Sequence, residues 1–168
     1  PTIHDIGYLK FPHQFNQKDL HQLIHWTQQS LRQAKHIITV SQFSKDELIK
    51  TYHINPDKIT IAYNGVDSPP KINHLAQQKI LKTYHLQSGN YFLYLGTLKP
   101  NKNIPFLIRS FFRYLQSDKS QPSVKLVIAG KKGWLFDEIF ATVQQQGIED
   151  RVIFTDFVTE DQKWTLYQ

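Results

Sequence analysis

Short apolar runs alternate with helix-patterned stretches along the whole chain. Ile37-Ile38-Thr39-Val40, Ile59 to Tyr63, Tyr91 to Leu95, Val124 to Ala129 and Arg151 to Thr155 are rich in β-branched and aromatic residues. They are too short for helices and predict buried strands. Between them, Leu20, Leu23, Ile24, Leu31 and Ala34 fall on one helical face. Ile104, Leu107, Ile108, Phe111, Phe112 and Leu115 keep the helical spacing closely, and Leu135, Ile139, Phe140 and Val143 more loosely. Ser44 with Glu47, and Thr159 with Gln162, have capping-box spacing and predict helix starts. Strands alternating with helices of this length predict an α/β fold whose parallel sheets are covered on both faces.

One break interrupts the alternation. Asn64-Gly65-Val66-Asp67-Ser68-Pro69-Pro70 joins an Asn-Gly turn to a double proline, and the prolines argue against a central strand following. The stretch predicts a linker, with one α/β unit over residues 1–63, the linker over 64–75 and a second unit over 76–168.

Composition narrows the function classes. A chain of 168 residues with 40% hydrophobic and 13% aromatic residues can build a sizeable core. It has no cysteine, so it carries neither a disulfide framework nor a thiolate nucleophile. No apolar run approaches the roughly 20 residues of a membrane-spanning helix. Methionine is absent, even at position 1, which predicts a start inside a longer reading frame. The net charge of +6 is uneven: residues 1–70 carry seven Lys/Arg against six Asp/Glu, residues 71–168 thirteen against eight. A basic second part suits an anionic ligand or an acidic membrane surface. No run of five basic residues occurs and no basic cluster is interleaved with aromatics, which disfavours a nucleic-acid binder.

The candidate chemistry gathers at Gly96-Thr97-Leu98-Lys99-Pro100-Asn101-Lys102-Asn103. A strand ending in glycine, then a lysine-bearing turn, then a helix start can bind phosphate through free N–H groups and the helix dipole. An ordinary strand–helix connection with solvated lysines has the same local pattern. Gly130 and Gly133 mark a second strand-to-helix turn that allows either close approach of a ligand or tight packing. His21 and His25 are helical neighbours without a third ligand, a weak metal pattern, and are expected to be exposed. No dinucleotide glycine fingerprint or Walker A sequence occurs.

Taken in order, several segments resemble a retaining glycosyltransferase of family 4, with the two-domain GT-B fold. Thr2-Ile3-His4-Asp5 resembles the strand end that brings a histidine into the cleft from the acceptor domain. Ile37 to Ser44 resembles the "TVSxFS" segment, and Tyr63 to Asp67 the "NGVD" junction. Gly96 to Asn103 resembles the "GTLxPxKN" donor-phosphate loop, Leu126 to Gly133 the "LVIAGxxG" turn, and Arg151 to Val158 the "RVxFxGxV" strand beside the nucleotide base.

The resemblance implies that residues 1–63 close the acceptor-side domain and residues 76–168 open the donor-binding domain. It further implies transfer of a hexose, mannose favoured, from a UDP- or GDP-sugar to a saccharide or glycolipid acceptor, with no metal in the site and no other cofactor. The implied donor-binding residues are Gly96, Thr97, Asn101, Lys102, Gly130, Lys131, Val158 and Thr159; the implied catalytic residue is His4. Alongside this stand structural readings: His4 capping a strand or bonded to Asp5, and Thr159 as a helix cap. Many family members carry arginine at the position of Thr97, leaving Lys99 and Lys131 as candidates for the second cation. Asp156 stands where glycine is common. The family's two glutamates, eight positions apart, have no counterpart among Glu47, Glu138, Glu149 and Glu160. The chain by itself is therefore expected to be inactive, and the whole enzyme to work in the cytoplasm or at its membrane face. The alternative is a non-catalytic domain binding a nucleotide or a phosphorylated ligand.

Overall fold

A computed structural model describes residues 1–117 and 123–168. The chain divides into two compact units, Pro1–Asp67 and Ser68–Gln168. Between Ile61 and His74 no helix or strand forms, as the Asn-Gly and Pro-Pro sequence predicts.

In the first unit, strands β1 (Thr2–Ile3), β2 (Ile37–Thr39) and β3 (Ile59–Ile61) form a parallel sheet in that order. Helices α1 (Gly7–Lys10), α2 (Gln17–Gln33) and α3 (Gln42–Tyr52) connect them. Ile37 and Ile59 are buried with Ile6, Tyr8 and Leu48, and the predicted face of α2 packs against that cluster through Leu20, Leu23, Ile24 and Leu31. Side chains alternate along a strand, so Ile38 and Thr60 point away from the helices and lie exposed.

The second unit meets the expectation in full. Strands β4 (Tyr91–Leu95), β5 (Lys125–Ala129) and β6 (Val152–Asp156) are parallel with β5 central. Helices α4 (His74–Thr83), α5 (Ile104–Ser117), α6 (Asp137–Gln146) and α7 (Glu160–Tyr167) complete it. Leu126 and Ile128 of β5 pack with Ile104, Ile108 and Phe111 of α5 and Ile139 and Val143 of α6. Val127 and Ala129 face the other way, against Leu81 of α4 and Leu166 of α7. A strand buried on both faces must be apolar throughout, which is why Leu126 to Ala129 reads as a continuous run.

Three local expectations change. Ser44 is not a helix cap: Ser41 is, its hydroxyl oxygen accepting the Ser44 N–H at 3.1 Å. Glu47 is instead paired with Lys10. Leu135 does not belong to α6; it precedes the helix with φ of 52° and is exposed, because α6 starts only at Asp137. Helix α4 went unpredicted because it commits a single residue, Leu81, to the core while Leu75 is exposed. The capping box at α7 forms as expected, Thr159 and Gln162 bonding reciprocally.

Ile128 is fully buried in the central strand. Ile128→Ala is expected to destabilise the second unit by about 2–5 kcal/mol, the range for emptying a buried aliphatic position. Urea unfolding, followed by far-UV circular dichroism, measures it.

Candidate functional site

The carboxyl ends of β4, β5 and β6 lie side by side, the edge of a parallel sheet where α/β proteins place their ligands. Their loops are joined by backbone hydrogen bonds, each of 2.9 Å. Gly96 N–H donates to Ala129, Leu98 N–H to Lys131, Gly133 N–H to Leu98 and Gly130 N–H to Asp156. The strands in effect continue past their ends, with Leu98 and Lys132 in parallel register.

This closeness depends on glycine. A β-carbon on Gly130, whose φ is 145°, would stand 2.1 Å from the Gly96 carbonyl oxygen. One on Gly133 would stand 2.8 Å from the Leu98 carbonyl oxygen. Of the two readings of these glycines, loop-on-loop packing is therefore sufficient for both. It is also what brings Gly96, Thr97, Gly130 and Lys131 into one place.

Tyr94 supports the loop from below, its phenol donating to the Thr97 carbonyl at 3.2 Å. Burial disfavours the phenolate and raises the Tyr94 pKa above its ordinary 10.0, so the donor keeps its proton. Nothing in the motif spacing pointed to this residue. Its signal is local, a tyrosine two residues before a strand-ending glycine.

The lysines are arranged on aromatic rings. The Lys99 ammonium lies 4.9 Å from the centre of the Trp134 ring, Lys131 4.7 Å from Phe157, and Lys132 4.9 Å from Phe140 and 5.5 Å from Phe136. Such contacts favour particular orientations of a flexible cation at little cost in solvation. Lys102 is exposed, in the tight turn Pro100–Lys102 together with Asn101. Among the described residues its ammonium has no ion pair or ring contact.

The start of α5 is a poorer anion site than the pattern predicts. Pro105 has no N–H, and the Asn103 carbonyl accepts from both Phe106 and Leu107. Positive charge here comes mainly from lysine side chains.

At the third strand end, Asp156 adopts φ of 59°, the left-handed conformation that glycine would take. Its carboxylate accepts the Phe157 N–H at 2.8 Å, a local bond of the kind that lets Asp tolerate this region. Asp in place of glycine thus preserves a turn of the glycine type. Val158 is partly buried and packs against the cluster that holds Val127 and Leu166. Thr159 is engaged in the α7 cap through both its hydroxyl and its N–H.

His4 belongs to the first unit and follows directly on β1. Its side chain is exposed. It is not bonded to Asp5, whose carboxylate accepts from Gly7 N–H at 2.8 Å. The His4 carbonyl accepts from the Ser44 hydroxyl at 2.8 Å, and the Ile3 carbonyl from the Thr39 hydroxyl at the same distance. Thus "TVSxFS" and "TIHD" are coupled by direct hydrogen bonds. His21 and His25 are exposed, and among the described residues no group of three His, Asp or Glu side chains is placed to hold a metal ion.

Residues 76–168 match the family described as Glycosyl transferases group 1, and residues 1–68 match Glycosyltransferase Family 4. The chain belongs to the glycosyl transferases group 1 family. It is 28% identical over 174 residues to the O-antigen chain mannosyltransferase B of Escherichia coli, covering 99% of this chain and 43% of that protein. It is 34% identical over 109 residues to the O-antigen chain mannosyltransferase RfbU of Salmonella typhimurium, covering 65% of this chain and 27% of that one. The chain thus spans less than half the length of these curated relatives.

Among solved structures it resembles Anabaena Alr3699/HepE, crystallised with UDP and glucose, with a TM-score of 0.73 at 21% identity over 98% of this chain and 43% of that one. It also resembles WaaG, a glycosyltransferase involved in lipopolysaccharide biosynthesis, with a TM-score of 0.70 at 12% identity over 98% and 46%. The α/β fold with two parallel three-stranded sheets is that of the GT-B glycosyltransferases, as the resemblance implied.

Two outcomes follow from this geometry. Gly130→Ala is expected to cost about 1–3 kcal/mol or more through forced backbone strain, read as a lower urea midpoint. Tyr94→Phe is expected to cost about 0.5–1.5 kcal/mol at neutral pH, the ordinary net value of one hydrogen bond. Because burial raises the folded-state value, the Tyr94 contribution is full below pH 10.0 and is lost as pH climbs through the raised pKa. The difference between Tyr94→Phe and the parent should therefore shrink in unfolding curves taken above that pH.

Proposed function

We propose that this chain is part of a retaining hexosyltransferase that takes a nucleotide-sugar donor, with mannose the favoured sugar and a saccharide or glycolipid the acceptor. In this reading residues 76–168 bind the donor and residues 1–63 serve the acceptor side. The observation that carries it is the knitted end of β4, β5 and β6, where glycine turns and lysines meet at the ligand edge of a parallel sheet. The mannosyltransferase relatives support the sugar, and the UDP complex of the Anabaena protein supports a nucleotide donor.

The chemical task is to stabilise negative charge growing on a departing diphosphate. Fixed cations and N–H groups do this best where water is excluded. Lys102, exposed on its turn, contacts the diphosphate in this reading, and Lys131 supplies the second cation where Thr97 replaces arginine. Gly96, Thr97, Asn101 and Gly130 line the approach with backbone and small side chains, and the backbone of Val158 and Thr159 flanks the base. The protein's own lysines, rather than a metal, balance the charge. His4, with an imidazole able to give or accept a hydrogen bond near neutral pH, positions a reacting hydroxyl.

The non-catalytic alternative is not favoured, since the family and its named relatives are transferases. Among the described residues no helix is long and apolar enough to cross a membrane. A cytoplasmic enzyme with peripheral contact at the membrane face remains part of the proposal, resting on the basic charge alone.

In the full reading frame containing these residues, Lys102→Ala should lower kcat/KM for nucleotide release by roughly 30- to 1000-fold, about 2–4 kcal/mol of transition-state stabilisation. Steady-state assays with UDP- and GDP-hexoses test this, and an unchanged kcat/KM would remove Lys102 from the site. Residues 1–168 alone should show no turnover.

A further inference from the structure

His4 directly follows strand β1, which pairs with β2 through Thr2 with Ile38 and Ile3 with Thr39. The ladder does not extend beyond Ile3. Two side chains take over at that point. The Thr39 hydroxyl donates to the Ile3 carbonyl and the Ser44 hydroxyl to the His4 carbonyl, both at 2.8 Å. The first carbonyl belongs to the peptide plane on the amino side of the His4 α-carbon, the second to the plane on its carboxyl side. Holding both planes restrains φ and ψ at His4, and with them the direction of its Cα–Cβ bond, from which the imidazole extends.

Both hydroxyl-bearing residues are buried, Thr39 completely and Ser44 at 6% exposure. Their bonds therefore face little competition from water. Ser44 is itself oriented: its oxygen accepts from the Ser41 hydroxyl at 3.0 Å while donating to His4. The cap of α3 is made by the Ser41 oxygen and the Ser44 N–H, so the Ser44 hydroxyl is not needed for it.

We propose that Thr39 and Ser44 are positioning residues that act through His4, each fixing one of the peptide planes that aim its imidazole. The proposal rests on the reading of His4 as a site residue, and the variants below separate the two. In the full reading frame, nucleotide release from UDP- and GDP-hexoses is measured for His4→Ala, Ser44→Ala, Thr39→Val and Thr39→Ser. His4→Ala is expected to lose 100-fold or more in kcat, on the order of a general acid–base contribution. Ser44→Ala and Thr39→Val should each lose about 10-fold in kcat with donor KM within about twofold, as expected when geometry rather than binding is disturbed. Thr39→Ser, which keeps the hydroxyl, should recover to within about threefold. Adding Ser44→Ala to His4→Ala should cost nothing further, since residues acting through one group are not additive.

An unaltered kcat in Ser44→Ala and Thr39→Val, with His4→Ala inactive, overturns the positioning role and leaves His4 in place. A full-sized further loss in the double variant also overturns it. Normal turnover in His4→Ala removes the role of His4 itself and this proposal with it. A second readout is independent of turnover. The imidazole Cε1–H signal of His4, assigned by its disappearance in His4→Ala, should shift or broaden in Ser44→Ala, and an unchanged signal counts against the proposal.

Discussion

The approach of the β5 turn to the β4 turn is the constraint on which the second unit's candidate site depends. Gly130 lies so close to Gly96 that a single added carbon would meet the carbonyl oxygen at 2.1 Å. From that contact follow the hydrogen bonds that carry the strand pairing out to Leu98 and Gly133. The loops then have little freedom of their own. Lys99, Lys131 and Lys132 are displayed on a continuation of the sheet rather than on independent loops, and aromatic rings take up their remaining freedom. Preorganisation of this kind matters where charge must be stabilised as it forms, because no reorganisation energy is then required at the moment of reaction.

The first unit solves the same problem by different means. The ladder of β1 with β2 stops at Ile3. Buried hydroxyls from a neighbouring strand and helix hold two successive carbonyls instead. In one unit backbone grips backbone, and in the other side chains grip backbone. Each device acts at the carboxyl end of a parallel strand, the edge where α/β proteins place their ligands.

Substitutions away from the family pattern are accommodated locally. Asp156 keeps the left-handed turn of a glycine by bonding the next N–H with its own carboxylate. Thr97 brings no charge, but its carbonyl is held by Tyr94 and its neighbour Leu98 is bonded to Lys131. The Lys99 and Lys131 side chains rest on separate rings, and among the described residues neither has an acidic partner.

Much of this was legible in the residues themselves. The central strand showed as an apolar run because both its faces are buried, and α5 showed because Ile104, Ile108 and Phe111 recur on one face of a helix. The break after Tyr63 followed from backbone chemistry at Asn64-Gly65 and Pro69-Pro70, and Thr159 with Gln162 formed the cap that their spacing implied. These are local effects, in which neighbours along the chain determine the outcome. Tertiary structure alone decided the rest. Ser44 looked like a cap for α3, but whether Ser41 or Ser44 takes that role depends on where the helix begins, and the freed hydroxyl is claimed by a carbonyl 40 residues away. Gly130 could have served a ligand or a neighbouring loop until Gly96, remote in sequence, was brought against it. Local propensity and periodicity act within a few residues; the partners of a buried hydroxyl or a bare α-carbon are set by the packing of distant segments.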